Sequence, residues 1–187
     1  MSKFIKSIPN CLTMLNMLLG LASIIILMRT KFDGKEIVAL GFILLGGFVD
    51  LFDGYLARKL NAVTDIGKQL DSFADLVTFG IAPICLLHYL VAFDNLLPIV
   101  ATFMFPACGA FRLARYNLND FSGHFMGLPI TAAGIILALY AVSYTKWSEH
   151  QHSGVCTAIT LVVVAALSVV MVSKIKVNRV LAVKEKE

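Results

Sequence analysis

Between residues 11 and 173 the chain passes through six apolar runs, at about 11–29, 36–57, 69–91, 96–117, 128–145 and 155–173, joined by short polar connections. Each run is close to the ~20 residues that an α-helix needs to cross the hydrocarbon core of a bilayer. The pattern predicts an all-α fold: an integral membrane bundle of six transmembrane helices. With 187 residues in all, almost nothing is left for a separate aqueous domain. Residues 1–187 therefore read as a single membrane domain whose active groups come from the spans and their connections. Composition agrees, with 58% hydrophobic and 15% charged residues and a mean hydropathy of +0.82, against roughly 25% charged residues in soluble domains.

Sixteen Lys and Arg against twelve Asp and Glu give a net charge of +4, too small and too scattered a surplus for a nucleic-acid partner. The placement of the basic residues says more. The N-terminus, the 58–68 and 112–124 connections and the C-terminal tail carry twelve of them, and the opposite side carries Arg29, Lys31, Lys35 and Lys146. The positive-inside rule then puts both termini in the cytoplasm of a multi-pass cell-membrane protein, and the even number of crossings agrees in placing them on one side. The first run lacks a small-x-small cleavage signal and five more follow it, so it is expected to stay as a span.

Residues 1–10, with Phe4, Ile5 and Ile8 beside Lys3 and Lys6, suit either a short interfacial helix ending before Pro9 or a basic tail. Pro98 and Pro129 fall near helix starts, where a missing N–H costs nothing. Pro83 and Pro106 fall inside spans and should kink them, with Gly80 and Gly109 easing the bend. Cys11, Cys85, Cys108 and Cys156 are far apart in sequence, with no CxxC, and read as unpaired thiols. His88, His124, His150 and His152 read as surface or internally satisfied histidines rather than ligands.

The second and third spans hold what a purely structural bundle avoids. In GGFVDLFDGYLARKLNAVTDIGKQLDSFADLVTFG, Asp50 and Asp53 are three apart and Asp71 and Asp75 four apart, so each pair lies on one helix face. The short connection makes the two spans an antiparallel hairpin with all four carboxylates at its cytoplasmic side. Gly46, Gly47, Gly54, Ala57 and Gly67 permit close backbone approach. Acids in such apolar runs are expensive unless cations meet them, and Arg58, Lys59 and Lys68 are a poor match for four. An oxygen-only set points to a paired Mg²⁺ or Mn²⁺ centre. Paired cations suit chemistry on a diphosphate, with an anionic substrate at the membrane surface. A carboxylate not wholly committed to metal could take a proton from an attacking hydroxyl; Asp75, deepest into its helix, is the natural candidate, with Asp71 the alternative that the sequence alone does not separate from it.

The run Asp50-x2-Asp53-Gly54-x2-Ala57-Arg58-x8-Gly67-x3-Asp71-x3-Asp75 matches in full the signature of the CDP-alcohol phosphotransferase family, which the chain resembles over nearly its whole length. The resemblance implies a six-helix core, often with an interfacial N-terminal helix, that forms a homodimer. It implies that Asp50, Asp53, Asp71 and Asp75 bind two divalent cations, with Asp75 as general base on the acceptor hydroxyl and Asp71 beside it. It further implies that Gly54, Ala57 and Gly67 leave room for the cytidine nucleotide near Asp53, and that Arg58 lies by the nucleotide or its phosphates.

IPNCLTMLNMLLG near the N-terminus, and FRLARYN followed by FMGLPITAAG downstream, look like the phosphatidylserine synthase branch of that family. The branch implies transfer of a phosphatidyl group from CDP-diacylglycerol to L-serine, in membrane lipid. Direct in-line displacement is favoured because no Cys, His or Ser is placed as a nucleophile and Asp75 supplies a base; the motif itself does not decide one displacement against two. Asn16 would face the nucleotide cavity. Arg112 and Arg115, three apart on one helix face, would hold the donor diphosphate or the serine carboxylate in bidentate fashion, or anchor the helix to anionic headgroups. Rival readings are the same centre acting on inositol phosphate or glycerol phosphate, an ether-lipid donor, and a divalent-cation transporter that uses the four Asp as a permeation site.

Overall fold

The computed structural model describes residues 3–29, 31–60, 64–91, 93, 95–118, 125–148, 153–173 and 176–177. Helix α1 (Lys3–Arg29) and α2 (Lys35–Lys59) form a hairpin that packs along much of its length. Its tight turn passes through Gly34 at φ 85, a left-handed conformation that suits glycine. A third rod follows: α3 (Asp65–Asp75), a π-helical turn (Leu76–Ile81) and α4 (Ala82–Leu90). The fourth rod consists of α5 (Leu96–Thr102) and α6 (Met104–Leu118), and α7 (Ile130–Ser148) and α8 (Ser153–Val172) complete the bundle. The rods coincide with the six predicted spans. The first four are long and apolar enough to cross a bilayer, and α7 and α8 contribute the shorter apolar stretches Ile130–Tyr144 and Thr157–Val172. A two-residue antiparallel ladder, β1 (Phe125–Met126) with β2 (Lys176–Val177), is the extended structure among the described residues.

The packing is that of a protein whose solvent is lipid. Large apolar side chains such as Leu18, Phe48, Phe111 and Val162 point outward, while Ala39, Ala82, Ala133, Ala138 and Ala141 are fully buried. Apolar burial gives no net drive between helices in a bilayer, so close contact between small residues takes over. Gly134 of α7 shows this: a Cβ there would meet the Phe79 backbone, 2.8 Å from its Cα.

The helix changes just ahead of both interior prolines, in register before Pro83 and by a turn before Pro106. Pro83 has no N–H for the carbonyl four residues back, and the helix is already in π register over Leu76–Ile81 when it arrives. Pro106 likewise cannot donate to Thr102, and the chain turns at Phe103 between α5 and α6. Gly109 serves contact rather than bending, because its missing Cβ would lie 2.5 Å from Ile130 Cδ1. At the N-terminus no separate helix ends before Pro9. Helix α1 runs through that proline from Lys3.

His88, one of the histidines read as satisfied, is within 2.6 Å of Thr102 Oγ1, whose hydroxyl donates to Ile99 O. His124, His150 and His152 lie outside the described residues.

Candidate active site

Helix α2 ends at Lys59 and α3 opens at Asp65, with Thr64 as N-cap: its hydroxyl accepts from Gly67 N at 3.0 Å. This cap starts α3 so that Asp71 and Asp75 come to the side of Asp50 and Asp53. Oxygens of Asp50, Asp53 and Asp71 all lie within 4.8 Å of one another. Asp75 lines the same cleft beside Asp50, and its Oδ1 is buried without a partner. The four carboxylates wall one cleft of about 350 Å³.

Two ionised carboxylates 4.8 Å apart repel by about 3 kcal/mol at an effective dielectric of about 20. Burial adds to this, since Asp53 is 4% and Asp75 8% exposed. Such a cluster calls for positive charge. The protein supplies Arg112 of α6, 7% exposed, whose charge reaches Asp75 and whose Nε has no partner. Arg58 and Lys68 stand on the cleft wall but are exposed, and Lys68 is turned to Asp65 at 3.8 Å. An all-oxygen donor set, an orphaned buried carboxylate oxygen and too few buried cations together fit hard divalent metal.

A further, polar part of the lining comes from α3 and α6. Asn117 Nδ2 donates to Ser72 Oγ at 2.9 Å, and Ser72 Oγ donates to Lys68 O at 3.1 Å. Tyr116 and Leu113 complete that side, and Pro129 and Thr131 close the cleft from the start of α7. Hydroxyls from two further helices reach the α2 acids. Thr13 Oγ1 donates to Asp53 Oδ2 at 2.8 Å, and Thr131 Oγ1 to Asp50 Oδ2 at 3.5 Å.

Of the residues singled out in the sequence, Asp50, Asp53, Asp71, Asp75, Gly54, Arg58 and Arg112 share this cleft. A Cβ on Gly54 would meet nothing nearer than the Arg58 guanidinium, at 3.6 Å, so this stretch of wall stays open. Ala57, Gly67, Asn16 and Arg115 are not among the walls. Gly67 lets α3 close on α1, where an added Cβ would be 3.1 Å from Asn10 Oδ1. Asn16 is fully buried against Gly46 and Thr78, with both amide atoms unpartnered. Arg115 donates from Nη1 to Val172 O at 3.3 Å, binding the end of α8. Its distance of three residues from Arg112 leaves about 60° between them around the helix, enough for α8 to claim one guanidinium and the cleft the other. Ser72, Tyr116 and Thr131 were not found from the sequence. Thr131 follows Pro129 by two residues at a helix start, which was the available signal.

Residues 6–171 match the family described as CDP-alcohol phosphatidyltransferase. A CDP-diacylglycerol–serine O-phosphatidyltransferase from Bacillus subtilis is 38% identical over 172 residues, covering 90% of this chain and 88% of that protein. A protein of the same name from Methanocaldococcus jannaschii is 38% identical over 71% of this chain and 59% of its own length. An archaetidylserine synthase from Methanothermobacter thermautotrophicus is 31% identical over 93% of this chain and 70% of its own. With its acids gathered in one cleft and the match spanning all six rods, the chain belongs to the CDP-alcohol phosphatidyltransferase family.

Proposed function

We propose that this protein is a membrane-embedded CDP-diacylglycerol–serine O-phosphatidyltransferase, converting CDP-diacylglycerol and L-serine to phosphatidylserine and CMP. The observation that carries the reading is the single cleft into which α2 and α3 bring four carboxylates opposite the buried Arg112. The names of relatives similar over most of the chain support the choice of serine. A homodimer with both termini and the cleft on the cytoplasmic side is part of the proposal, supported by the family resemblance and the lysine and arginine placement.

In this reading the donor's acyl chains stay in the bilayer while its CDP headgroup enters the cleft. The open wall at Gly54 takes the nucleotide, with Arg58 at hand for its phosphates. Asp50, Asp53, Asp71 and Asp75 would hold two divalent cations, Mg²⁺ or Mn²⁺. Bound there, the cations supply neutralisation of the diphosphate and of the phosphate that leaves. Arg112 provides a bidentate site for an anion, the serine carboxylate or the donor diphosphate. Asp75, with its unpartnered Oδ1, accepts the proton of the serine hydroxyl as that oxygen bonds to the lipid-bearing phosphorus. The bond from this phosphorus to the bridging oxygen breaks and CMP departs. One in-line displacement inverts a chiral, isotopically labelled phosphorus, and retention would overturn it. Cation transport is disfavoured because the bundle beyond Asp75 is filled by Phe79, Ala82, Leu86 and Leu87, all fully buried.

The test is CMP release from CDP-diacylglycerol by detergent-purified protein, with serine, inositol phosphate, glycerol phosphate or no alcohol, and with Mg²⁺, Mn²⁺ or chelator. Metal-dependent release selective for serine, matched by phosphatidylserine formation, is expected. Selective release with another alcohol would replace the acceptor.

A further inference from the structure

We infer that Thr13 of α1 is a positioning residue for the acid cluster, fixing the carboxylate of Asp53 through a hydrogen bond so that it is oriented before a cation arrives. The inference rests on the metal-holding role proposed above for the four aspartates.

Thr13 and Asp53 are 40 residues apart in sequence and both are buried, at 5% and 4% exposure. A threonine inside a helix usually returns its hydroxyl to the carbonyl four residues back. That acceptor, Pro9 O, is present at 3.1 Å, yet Asp53 Oδ2 on the neighbouring helix is nearer, at 2.8 Å. A hydroxyl has one proton, and the shorter, charge-assisted contact is the stronger use of it. A carboxylate out of water needs such a donor, and a bond from a separate helix fixes the plane of the group as well. The remaining lone pairs of Asp53 stay available to a cation. Thr13 is not on the cleft wall, so it acts through Asp53 and does not touch substrate. Thr131, 3.5 Å from Asp50 Oδ2 and only half-buried, makes a looser contact of the same kind.

The experiment compares wild-type protein with T13V, which keeps the shape and loses the hydroxyl, and T13S, which keeps the hydroxyl. Each is purified as the full chain in detergent and titrated with Mn²⁺ alone, free ion being read by electron paramagnetic resonance. Thermal unfolding is followed in chelator. T13V should bind Mn²⁺ about tenfold more weakly, as expected when a hydrogen bond to a charged group is lost. T13S should lie within about threefold of wild type and unfold like it in chelator, while T13V, which leaves the buried Asp53 carboxylate short of a donor, should unfold a few degrees lower. Unchanged Mn²⁺ affinity in T13V would overturn the inference and leave the metal site standing. Equal weakening in T13V and T13S would assign Thr13 to packing. Wild-type protein that binds no Mn²⁺ would overturn the metal reading itself.

Discussion

Thr78, on the π-helical turn just beyond Asp75, donates its hydroxyl to the backbone carbonyl of Asn16 at 2.9 Å, and both residues are fully buried. One turn earlier on α1, Thr13 bonds Asp53. Helix α1 is therefore tied to both acid-bearing rods, through a side chain of α2 and a side chain of the third rod. Neither tie involves a charged residue of α1, so the apolar first span can act as the common reference for the depth of the two acid pairs.

That arrangement depends on glycine. A Cβ on Gly46 would lie 2.7 Å from Thr78 Cγ2 and 2.9 Å from Asn16 Oδ1, so Gly46→Ala should force the three helices apart. The expected loss is about 1–3 kcal/mol, typical of overpacking. Gly41, on the same helix, is exposed with nothing within 4 Å, and Gly41→Ala should be neutral or stabilising by up to about 1 kcal/mol through helix propensity. Thermal unfolding in detergent checks both, and equal effects would refute the packing account.

Arg112 and Arg115 should separate cleanly. Arg112→Lys loses the planar fork beside Asp75, and kcat/KM is expected to fall by about 100-fold. A rise confined to the KM for serine would place the carboxylate on Arg112, and a rise confined to the KM for CDP-diacylglycerol would place the diphosphate there. Arg115→Gln removes the donor to Val172 O and should cost about 1 kcal/mol of stability while kcat/KM stays within a few-fold. Comparable activity losses in both variants would contradict the division.

The six rods and the four acids were legible because their signals are local: run length against bilayer thickness, and acids three or four apart on one face. The change of register ahead of Pro83 and the turn ahead of Pro106 were legible because a proline's missing N–H acts within one turn. Arg115 was misplaced because its direction depends on α8 packing against α6, a contact between segments 57 residues apart. Thr13 lies inside the IPNCLTMLNMLLG stretch, but nothing in the sequence names its partner 40 positions away. The expected stop before Pro9 fails because α1 has already begun at Lys3 and continues through the proline to Arg29, a continuity that the local preference of the residue before a proline does not reveal.

Sidedness can be read with single cysteines in a background lacking the native four. Asp33 is exposed in the turn between α1 and α2, and Lys59 is exposed at the end of α2. A membrane-impermeant maleimide should label Asp33→Cys in intact cells and reach Lys59→Cys after permeabilisation. The reverse pattern would invert the proposed orientation and put the cleft outside.

The acid cluster should trade stability for function. Asp71→Asn and Asp75→Asn are each expected to lower CMP release by about a thousandfold, within the range for loss of a positioned acid–base group. In chelator the sign of the stability change reverses the usual one. Asp71 has oxygens within 4.8 Å of Asp50 and Asp53, and removing one charge relieves two repulsions of about 3 kcal/mol each at an effective dielectric of about 20. Even after relaxation and counterions take most of that, Asp71→Asn should unfold at a higher temperature than wild type without metal. Saturating Mn²⁺ should reverse the order, because a ligand that binds the native state stabilises wild type in proportion to the logarithm of its concentration over Kd. Wild-type protein that is more stable than Asp71→Asn even in chelator would show that the carboxylates are held by the fold alone, and the case for a metal-balanced cluster would fail.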